Sequence, residues 1–192
     1  MTDIVRSLSR RLFMSLAIPV ALAPSLAFAA SPAESYVSKV GNGVIAAARN
    51  NSVGQFRSLL RANADIAAIA IYSLGPYRKS LTSDVKSEYY GLVENYIAKV
   101  FQQNAKKLAG QGLEVKDTKD AGDSILVRSV LNFGGGGTVP VTWRLVKRSG
   151  GYRIFDVNVD GIWLASTQKT NFVSVLKKNN GKMSALLDYL RQ

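Results

Sequence analysis

The first half of the chain carries apolar residues at helical spacing. Ser31 followed by Pro32 is typical of a helix start, and Gly75 followed by Pro76 is typical of a helix end. The strongest helix is predicted over residues 83–108, where apolar residues step by three or four positions. These apolar positions are Val85, Tyr89, Leu92, Tyr96 and Val100. We therefore expect three or four helices before residue 110.

The second half alternates apolar and polar residues, with turn residues between the runs. The runs are "LEVKD", "SILVRSVLNF", "VPVTWRLVKR" and "YRIFDVNV", and "RSGGYR" is typical of a tight hairpin. Helical spacing returns at about residues 166–178 and 183–190. Helices followed by an antiparallel meander predict an α+β fold, with N-terminal helices against a curved sheet of about four strands and C-terminal helices after it.

Residues 1–29 are typical of an export leader. Arg6, Arg10 and Arg11 precede an apolar run that ends with Ala27 and Ala29, a small-x-small cleavage pattern. The arginine pair in "SRRLFM" also resembles the twin-arginine export motif. We expect a signal peptide at 1–29, a single α+β domain at 30–192, and a soluble protein in the periplasm.

Charge narrows the classes of partner. The whole chain has a formal charge of +12, and removing the leader takes away three Arg and one Asp, which leaves +10. A solvated basic surface and attraction to anionic lipid, at about 1 kcal/mol per basic group near a bilayer, both stay open. Nucleic acid is not expected, because the chain has an export leader and no basic run interleaved with aromatics.

Groups that do chemistry are sparse. The chain has no histidine and no cysteine. Asp156 and Asp160 are expected on one face of a strand about 13 Å apart, beyond the roughly 5–9.5 Å of paired-carboxylate glycosidases. The "GGGG" at 134–137 lacks the Lys-Ser/Thr of a phosphate loop and is expected to be a hairpin loop. We predict no catalytic residue, no metal and no cofactor, and we expect Asp156 to accept hydrogen bonds that hold its strand against a helix.

Two blocks of the chain carry motifs in a specific order. Residues 64–101 contain Asp65, then Leu74 and Gly75, then Tyr77 and Arg78, with aromatics along the following helix. The second block is "PVTWRLVKRSGGYRIFDVNVDGIWLASTQKTNF". Together they resemble the MlaC-type, or toluene-tolerance, family of periplasmic phospholipid-binding proteins.

The second block departs from the family pattern at several positions. The family often has Trp where this chain has Tyr152, and Ser where it has Trp163. Its usual Tyr-Arg appears here as Gln168 and Lys169. These differences bear on ligand size and partner contacts more than on the class of protein.

The resemblance implies a strongly curved antiparallel sheet, wrapped by helices around an internal apolar cavity for acyl chains. It implies a monomeric carrier without enzyme activity, with phospholipid as cargo. The implied partners are an inner-membrane ABC transporter with its substrate-binding ring and an outer-membrane lipoprotein complex, which together maintain outer-membrane lipid asymmetry.

The candidate cavity walls are inward-facing residues of the predicted elements. They are Ile66, Ile69, Tyr89, Leu92, Val93, Tyr96, Val127, Val141, Trp143, Leu145, Phe155, Val157, Ile162, Trp163 and Phe172. Ile162 and Trp163, with Leu164, are expected to close one end of the space between sheet and helices.

Other interpretations stay open at this point. Periodicity shows that these side chains point inward, and an ordinary packed core has the same pattern. The cargo could be another lipid, such as a hopanoid. The same type of curved sheet also hosts small-molecule isomerases and dehydratases, for which Asp156 is the candidate acid or base. An adaptor that docks membrane complexes without carrying lipid is the third class.

Overall fold

The computed structural model describes residues 30–192, so the predicted leader lies outside the described residues. The helices are α1 (Pro32–Arg49), α2 (Val53–Asn63), α3 (Ile66–Ser73), α4 (Ser83–Gln103), α5 (Ala105–Leu108), α6 (Leu164–Lys178) and α7 (Met183–Arg191). The strands are β1 (Gly112–Asp120), β2 (Ile125–Asn132), β3 (Thr138–Arg148), β4 (Gly151–Val159) and β5 (Ile162–Trp163). Short 3₁₀ turns occupy Gly75–Ser80 and Gly134–Gly136.

The start of α1 follows from two side chains. Ser31 accepts a hydrogen bond from the Glu34 N–H through its Oγ (3.2 Å), and the Glu34 carboxylate accepts one from the Ser31 N–H (2.8 Å). This reciprocal capping box satisfies two backbone donors that a helix start leaves free. Further along α1, a Cβ at Gly41 would overlap the Leu113 side chain. Glycine at position 41 therefore lets α1 lie directly against β1.

The sheet is antiparallel and curled, with its five strands in chain order. In the β3–β4 pair, Leu145 lies opposite Ile154 and Trp143 opposite Val157, and a bulge leaves Phe155 without a partner. Side chains alternate between faces with a period of two, so one extra residue switches the faces beyond it. Trp143 and Val157 consequently share the face of Leu145 and Ile154.

A two-residue turn links β4 to β5. Asp160 and Gly161 have φ of 51° and 86°, as in the primed turns of tight hairpins. The Asn158 Oδ1 accepts a hydrogen bond from the Gly161 N–H at 3.0 Å. The prediction that Asp160 continues the strand is therefore wrong, because β4 ends at Val159 and Asp160 lies in the turn.

The helix predicted over residues 83–108 is divided in two. It breaks at Asn104, whose Nδ2 donates to the Val100 carbonyl at 2.8 Å and so competes with the helical backbone. The last helix but one begins at Leu164, two residues earlier than predicted, directly after β5.

Asp65 joins the helices to the sheet. Its N–H donates to the Ile154 carbonyl (2.9 Å), its Oδ1 caps α3 by accepting from the Ala68 N–H (3.1 Å), and its Oδ2 accepts from Arg148 Nε (2.8 Å). One residue thus caps α3 and ties the junction between α2 and α3 to β3 and β4.

The apolar side chains form three clusters. The first, which we call the helical cluster, is built mainly by α3, α4, α6 and α7; the second lies between α1 and the sheet; the third lies between α1, α2, α4 and α5. The predicted α+β fold is confirmed, with a short fifth strand added. Within residues 30–192, no helix combines the length and apolarity that a bilayer crossing requires.

Candidate functional site: an apolar cavity between sheet and helices

The three clusters meet around a space that their side chains do not fill. The cavity measures about 140 Å³, and its wall draws on the helices α1 to α6 and on the strands β1 to β4. Protein interiors are normally packed like organic crystals, with few voids larger than a water molecule. At about 24 cal/mol per Å³, an empty space of this size costs about 3 kcal/mol of stability. A void this costly is typical of a binding site.

The wall is almost wholly apolar. Its polar side chains are Asn63, Asp156 and Gln168. Asn63 Nδ2 donates to the Leu59 carbonyl at 2.9 Å, so its donor is used within its own helix. A cavity with such walls disfavours water, which needs two to four polar partners, and favours apolar groups.

Trp143 gives the sheet side of the cavity a fixed surface. Its Nε1–H donates to Ser129 Oγ at 2.9 Å, and that hydroxyl donates to the Val141 carbonyl at 3.0 Å. All three residues are buried. Because the indole N–H is satisfied across two strands, the ring keeps one orientation towards the cavity.

An ion-pair cluster holds α2 against α4 beside the cavity. Glu94 is buried, and its Oε1 lies 2.8 Å from both Arg57 Nε and Arg61 NH2. Burial by itself raises the pKa of Glu94, but hydrogen bonds and charges from Arg61 and Arg57 outweigh it and hold the pKa below its ordinary value. The helices that carry Phe56 and Ile97 into the wall are thereby fixed to each other.

Asp156 joins β4 to the start of α6. Its Oδ1 accepts from the N–H groups of Val157 and Ala165, each at 2.8 Å. Burial raises the pKa of Asp156, and the hydrogen bond from Ala165, that from Val157 and the charge of Arg144 offset only part of the rise. As expected from the sequence, this carboxylate accepts the bonds that hold its strand against a helix.

Five of the fifteen predicted residues lie in the cavity wall: Ile69, Val141, Trp143, Phe155 and Val157. Phe155 is the bulge residue of β4, and its ring packs edge-on against Tyr72 at 5.5 Å. Val127 and Leu145 lie in the cluster between α1 and the sheet, both fully buried.

Six predicted residues lie in the helical cluster and outside the cavity wall: Ile66, Tyr89, Leu92, Val93, Tyr96 and Phe172. The hydroxyl of Tyr89 donates to the Ala70 carbonyl at 2.9 Å, and burial raises the pKa of Tyr89 far above its ordinary value. Burial and the Tyr189 hydroxyl at 3.2 Å raise the pKa of Tyr96 to about 12. These hydroxyls are satisfied within the chain.

The three residues expected to close the cavity, 162–164, are divided between β5 and the start of α6. Leu164 lies in the wall. Trp163 is partly buried and lies under the Arg144 guanidinium, 4.3 Å from its ring centre, which is a cation–π contact. Ile162 is 60% exposed at the β4–β5 turn. The structure therefore places only the last of the three residues at the cavity.

Sequence reasoning missed the part of the wall formed by the first two helices and the end of α4. These residues include Val40, Ile45, Phe56, Leu59, Leu60, Ile97 and Phe101. Their helical spacing is visible in the sequence, and it predicts helices without indicating which side chains border a cavity. Across residues 30–192 there is no group of three or more acidic, histidine or cysteine side chains placed to hold a metal ion.

The fold and the cavity define a class of protein: a curled antiparallel sheet closed by helices over an unfilled apolar space. A solved structure with this fold is the phospholipid-binding protein from Ralstonia solanacearum in complex with a phospholipid. It superposes with a TM-score of 0.71 at 20% identity, over 84% of this chain and 96% of that one. At this identity the likeness shows a shared fold.

The chain belongs to the MlaC family, because the family model "MlaC protein" matches residues 38–192. A curated relative, the intermembrane phospholipid transport system binding protein MlaC of Haemophilus influenzae, is 22% identical over 110 residues. That alignment covers 55% of this chain and spans about half (51%) of the relative's length. The family resemblance predicted from the two sequence blocks is confirmed.

Proposed function

We propose that this protein is a periplasmic carrier that binds the acyl chains of a phospholipid in the cavity described above. The observation that carries the proposal is the unfilled apolar cavity in a chain of the MlaC family. The phospholipid complex of the Ralstonia protein, which shares the fold, supports the choice of ligand class.

The energetics of lipid transfer favour an enclosed cavity. Burying one CH₂ is worth about 0.8 kcal/mol, so exposing two sixteen-carbon chains to water costs on the order of 25 kcal/mol. A shallow groove leaves much of that cost in place, whereas apolar walls on all sides remove most of it. No bond is made or broken in such a transfer, so the carrier needs binding surface and no catalytic group.

The proposed route runs between the two membranes. The carrier would exchange lipid with an outer-membrane lipoprotein complex and with an inner-membrane ABC transporter through its substrate-binding ring, and so maintain outer-membrane lipid asymmetry. Family membership supports this route, and the leader predicted at residues 1–29 supports the compartment. The basic surface of the exported chain favours anionic headgroups.

The decisive experiment is native mass spectrometry of the protein purified from a bacterial periplasm, followed by solvent extraction and lipid analysis. We expect a stoichiometric adduct of phospholipid mass that unfolding releases. An adduct with the mass of a hopanoid would keep the carrier and change its cargo. A bare protein that also takes up no lipid from vesicles would contradict the proposal and favour the adaptor.

Asp156 is the residue on which an isomerase or dehydratase would depend. It is buried, its pKa is raised, and it lies in the cavity wall. Its Oδ1, however, already accepts two backbone hydrogen bonds, which supports a structural role. Lipid uptake that persists in Asp156→Asn would agree with the carrier, and a turnover that this variant abolishes would favour the enzyme.

A further inference from the structure

One polar atom in the cavity wall has no partner in the chain. Among the side-chain nitrogen and oxygen atoms of residues 30–192, Gln168 Oε1 is the one that is buried without a hydrogen bond. Such an atom costs about 1–3 kcal/mol, because it loses water and gains nothing in return. Natural structures contain few of these atoms, and each calls for an explanation.

The neighbours of Gln168 on α6 show that the local sequence can satisfy its polar groups. Ser166 Oγ lies 3.2 Å from the Tyr72 hydroxyl, Thr167 Oγ1 donates to the Trp163 carbonyl at 3.1 Å, and Thr170 Oγ1 donates to the Ser166 carbonyl at 3.2 Å. Gln168 differs from these neighbours because it lies on the face of α6 that lines the cavity. It follows Leu164 and Ala165 by four and three residues, so all three line the cavity from the same side of the helix.

The Gln168 carboxamide lies at the boundary between solvent and the apolar cavity. Gln168 as a whole is partly exposed, whereas its Oε1 is buried. The side chain therefore reaches from the edge of α6 into the apolar space. A lipid has the same boundary at the glycerol esters, between the headgroup that stays in water and the chains that leave it.

We propose that the Gln168 carboxamide binds the glycerol-ester linkage of the cargo and so sets the depth to which the acyl chains enter; this inference rests on the proposed carrier function. A carboxamide offers two N–H donors and a carbonyl acceptor, and rotation of its last bond presents either. An ester carbonyl takes the donor, and a free glycerol hydroxyl takes the acceptor. In a diacyl lipid the linkage offers only acceptors, which the Nε2–H groups bind once the carboxamide has turned; a free hydroxyl, whose proton Oε1 accepts, exists only where one acyl chain is missing.

The test compares lipids that differ only at this linkage, bound to the exported chain and measured by native mass spectrometry. The first pair is a diacyl phosphatidylglycerol and its dialkyl ether analogue, which lacks the ester carbonyls. The second pair is a 1-acyl-2-hydroxy phosphatidylglycerol and its 2-O-methyl ether, which lacks the donor. One neutral hydrogen bond should change affinity about two- to tenfold in favour of the first member of at least one pair.

The variant that tests the assignment is Gln168→Met, which keeps the length of the side chain and removes its hydrogen-bonding groups. It should bind both members of each pair equally. Gln168→Leu serves the same purpose if the Met variant is poorly folded. Thr167→Val is the matched control, because its exposed hydroxyl already donates to the Trp163 carbonyl, and it should keep the wild-type preference.

The outcomes separate this inference from the proposed function. A preference that disappears in Gln168→Met supports the inference, and the pair that shows it identifies the donor or the acceptor. Binding of all the lipids with no preference, or with a preference that survives in Gln168→Met, overturns the inference and leaves the carrier standing. If the wild-type protein binds none of them, the carrier function fails, and this inference with it.

Discussion

The helical cluster and the cavity are built from the same kinds of residue and differ in how they are filled. In the helical cluster, side chains from α4, α6 and α7 are completely buried: Tyr89, Phe172, Leu176, Leu186 and Leu190. Aromatic rings there meet edge to face, with Tyr96 and Phe172 at 5.6 Å. At the cavity, equally apolar walls enclose about 140 Å³ that no side chain occupies. The contrast separates the part of the molecule that stabilises the fold from the part that we propose to bind lipid.

Helices α4 and α6 each contribute to both regions. In α4, Tyr89 and Val93 belong to the helical cluster alone, whereas Phe101 also reaches the cavity wall. In α6, Gln168 lies in the wall, whereas Phe172 lies in the helical cluster. A rigid, fully packed end of each helix can therefore hold its other end in place around an empty space.

The largest difference should appear when the same aromatic ring is removed from each region. Phe172→Ala leaves a new void in a filled core and should lower the free energy of unfolding by about 3–5 kcal/mol. Phe155→Ala removes a partly exposed ring that already borders unfilled space and should cost about 1–2 kcal/mol. Denaturant unfolding of both variants measures this, and equal losses would contradict the distinction between the regions.

Adding volume should also destabilise the filled cluster more than the cavity. Val93→Phe overpacks the filled cluster and should cost about 1–3 kcal/mol. Val141→Phe points a larger ring into the cavity, so the free energy of unfolding should change by less than about 1 kcal/mol, while lipid uptake from vesicles falls.

The two valine variants are each other's control for this test. Val93→Phe should retain lipid uptake under conditions where it is folded. A Val141→Phe protein that takes up lipid as well as the wild type would show that the cargo lies elsewhere.

The smallest effect concerns Asp156, which joins the two regions at the start of α6. Burial raises its folded pKa above the ordinary 3.8, so above that pH the folded chain holds this proton more tightly than the unfolded chain does. Its contribution to the free energy of unfolding therefore falls as pH rises from 3.8 through the folded pKa, and is constant above it. Asp156→Asn should remove this decline while its side-chain oxygen still accepts from Ala165 and Val157.

The measurement is the difference in unfolding free energy between Asp156→Asn and the wild type across this pH range. The difference should rise with pH in favour of the variant, and a flat difference would mean that the carboxyl is not perturbed. Asp156→Ala is the contrasting variant, because it leaves two buried N–H groups without a partner and should cost about 1–3 kcal/mol at any pH.

Local pattern was sufficient for most of the fold. Helical spacing and the Ser31 cap predicted α1, and alternation predicted the four long strands. The predictions failed at residues where a side-chain hydrogen bond or a strand bulge overrides the local pattern. Asn104 ends α4 because its side chain binds the Val100 carbonyl, and the Phe155 bulge changes which residues face inward after it. A bulge depends on pairing with a neighbouring strand, so alternation within one strand does not reveal it.

The cavity could be predicted only in part. Periodicity placed Ile69, Val141, Trp143 and Val157 on inward faces, and these residues do line the space. The same signal placed Tyr89 and Phe172 inward, and they fill a solid cluster. The two groups have indistinguishable sequence patterns, because a hydrophobic period records which way a side chain points and not how far away the opposite wall is.

The amino-acid order thus established the elements, their sequence along the chain, the family and the scarcity of catalytic groups, since each of these depends on residue type and short-range spacing. Whether the interior is filled depends on distances between segments far apart in the chain. Gly41 brings α1 against β1, Asp65 ties α2 and α3 to β4, and Glu94 joins α4 to α2. These long-range contacts fix the positions of the walls, and the space between the walls exists only in the assembled fold.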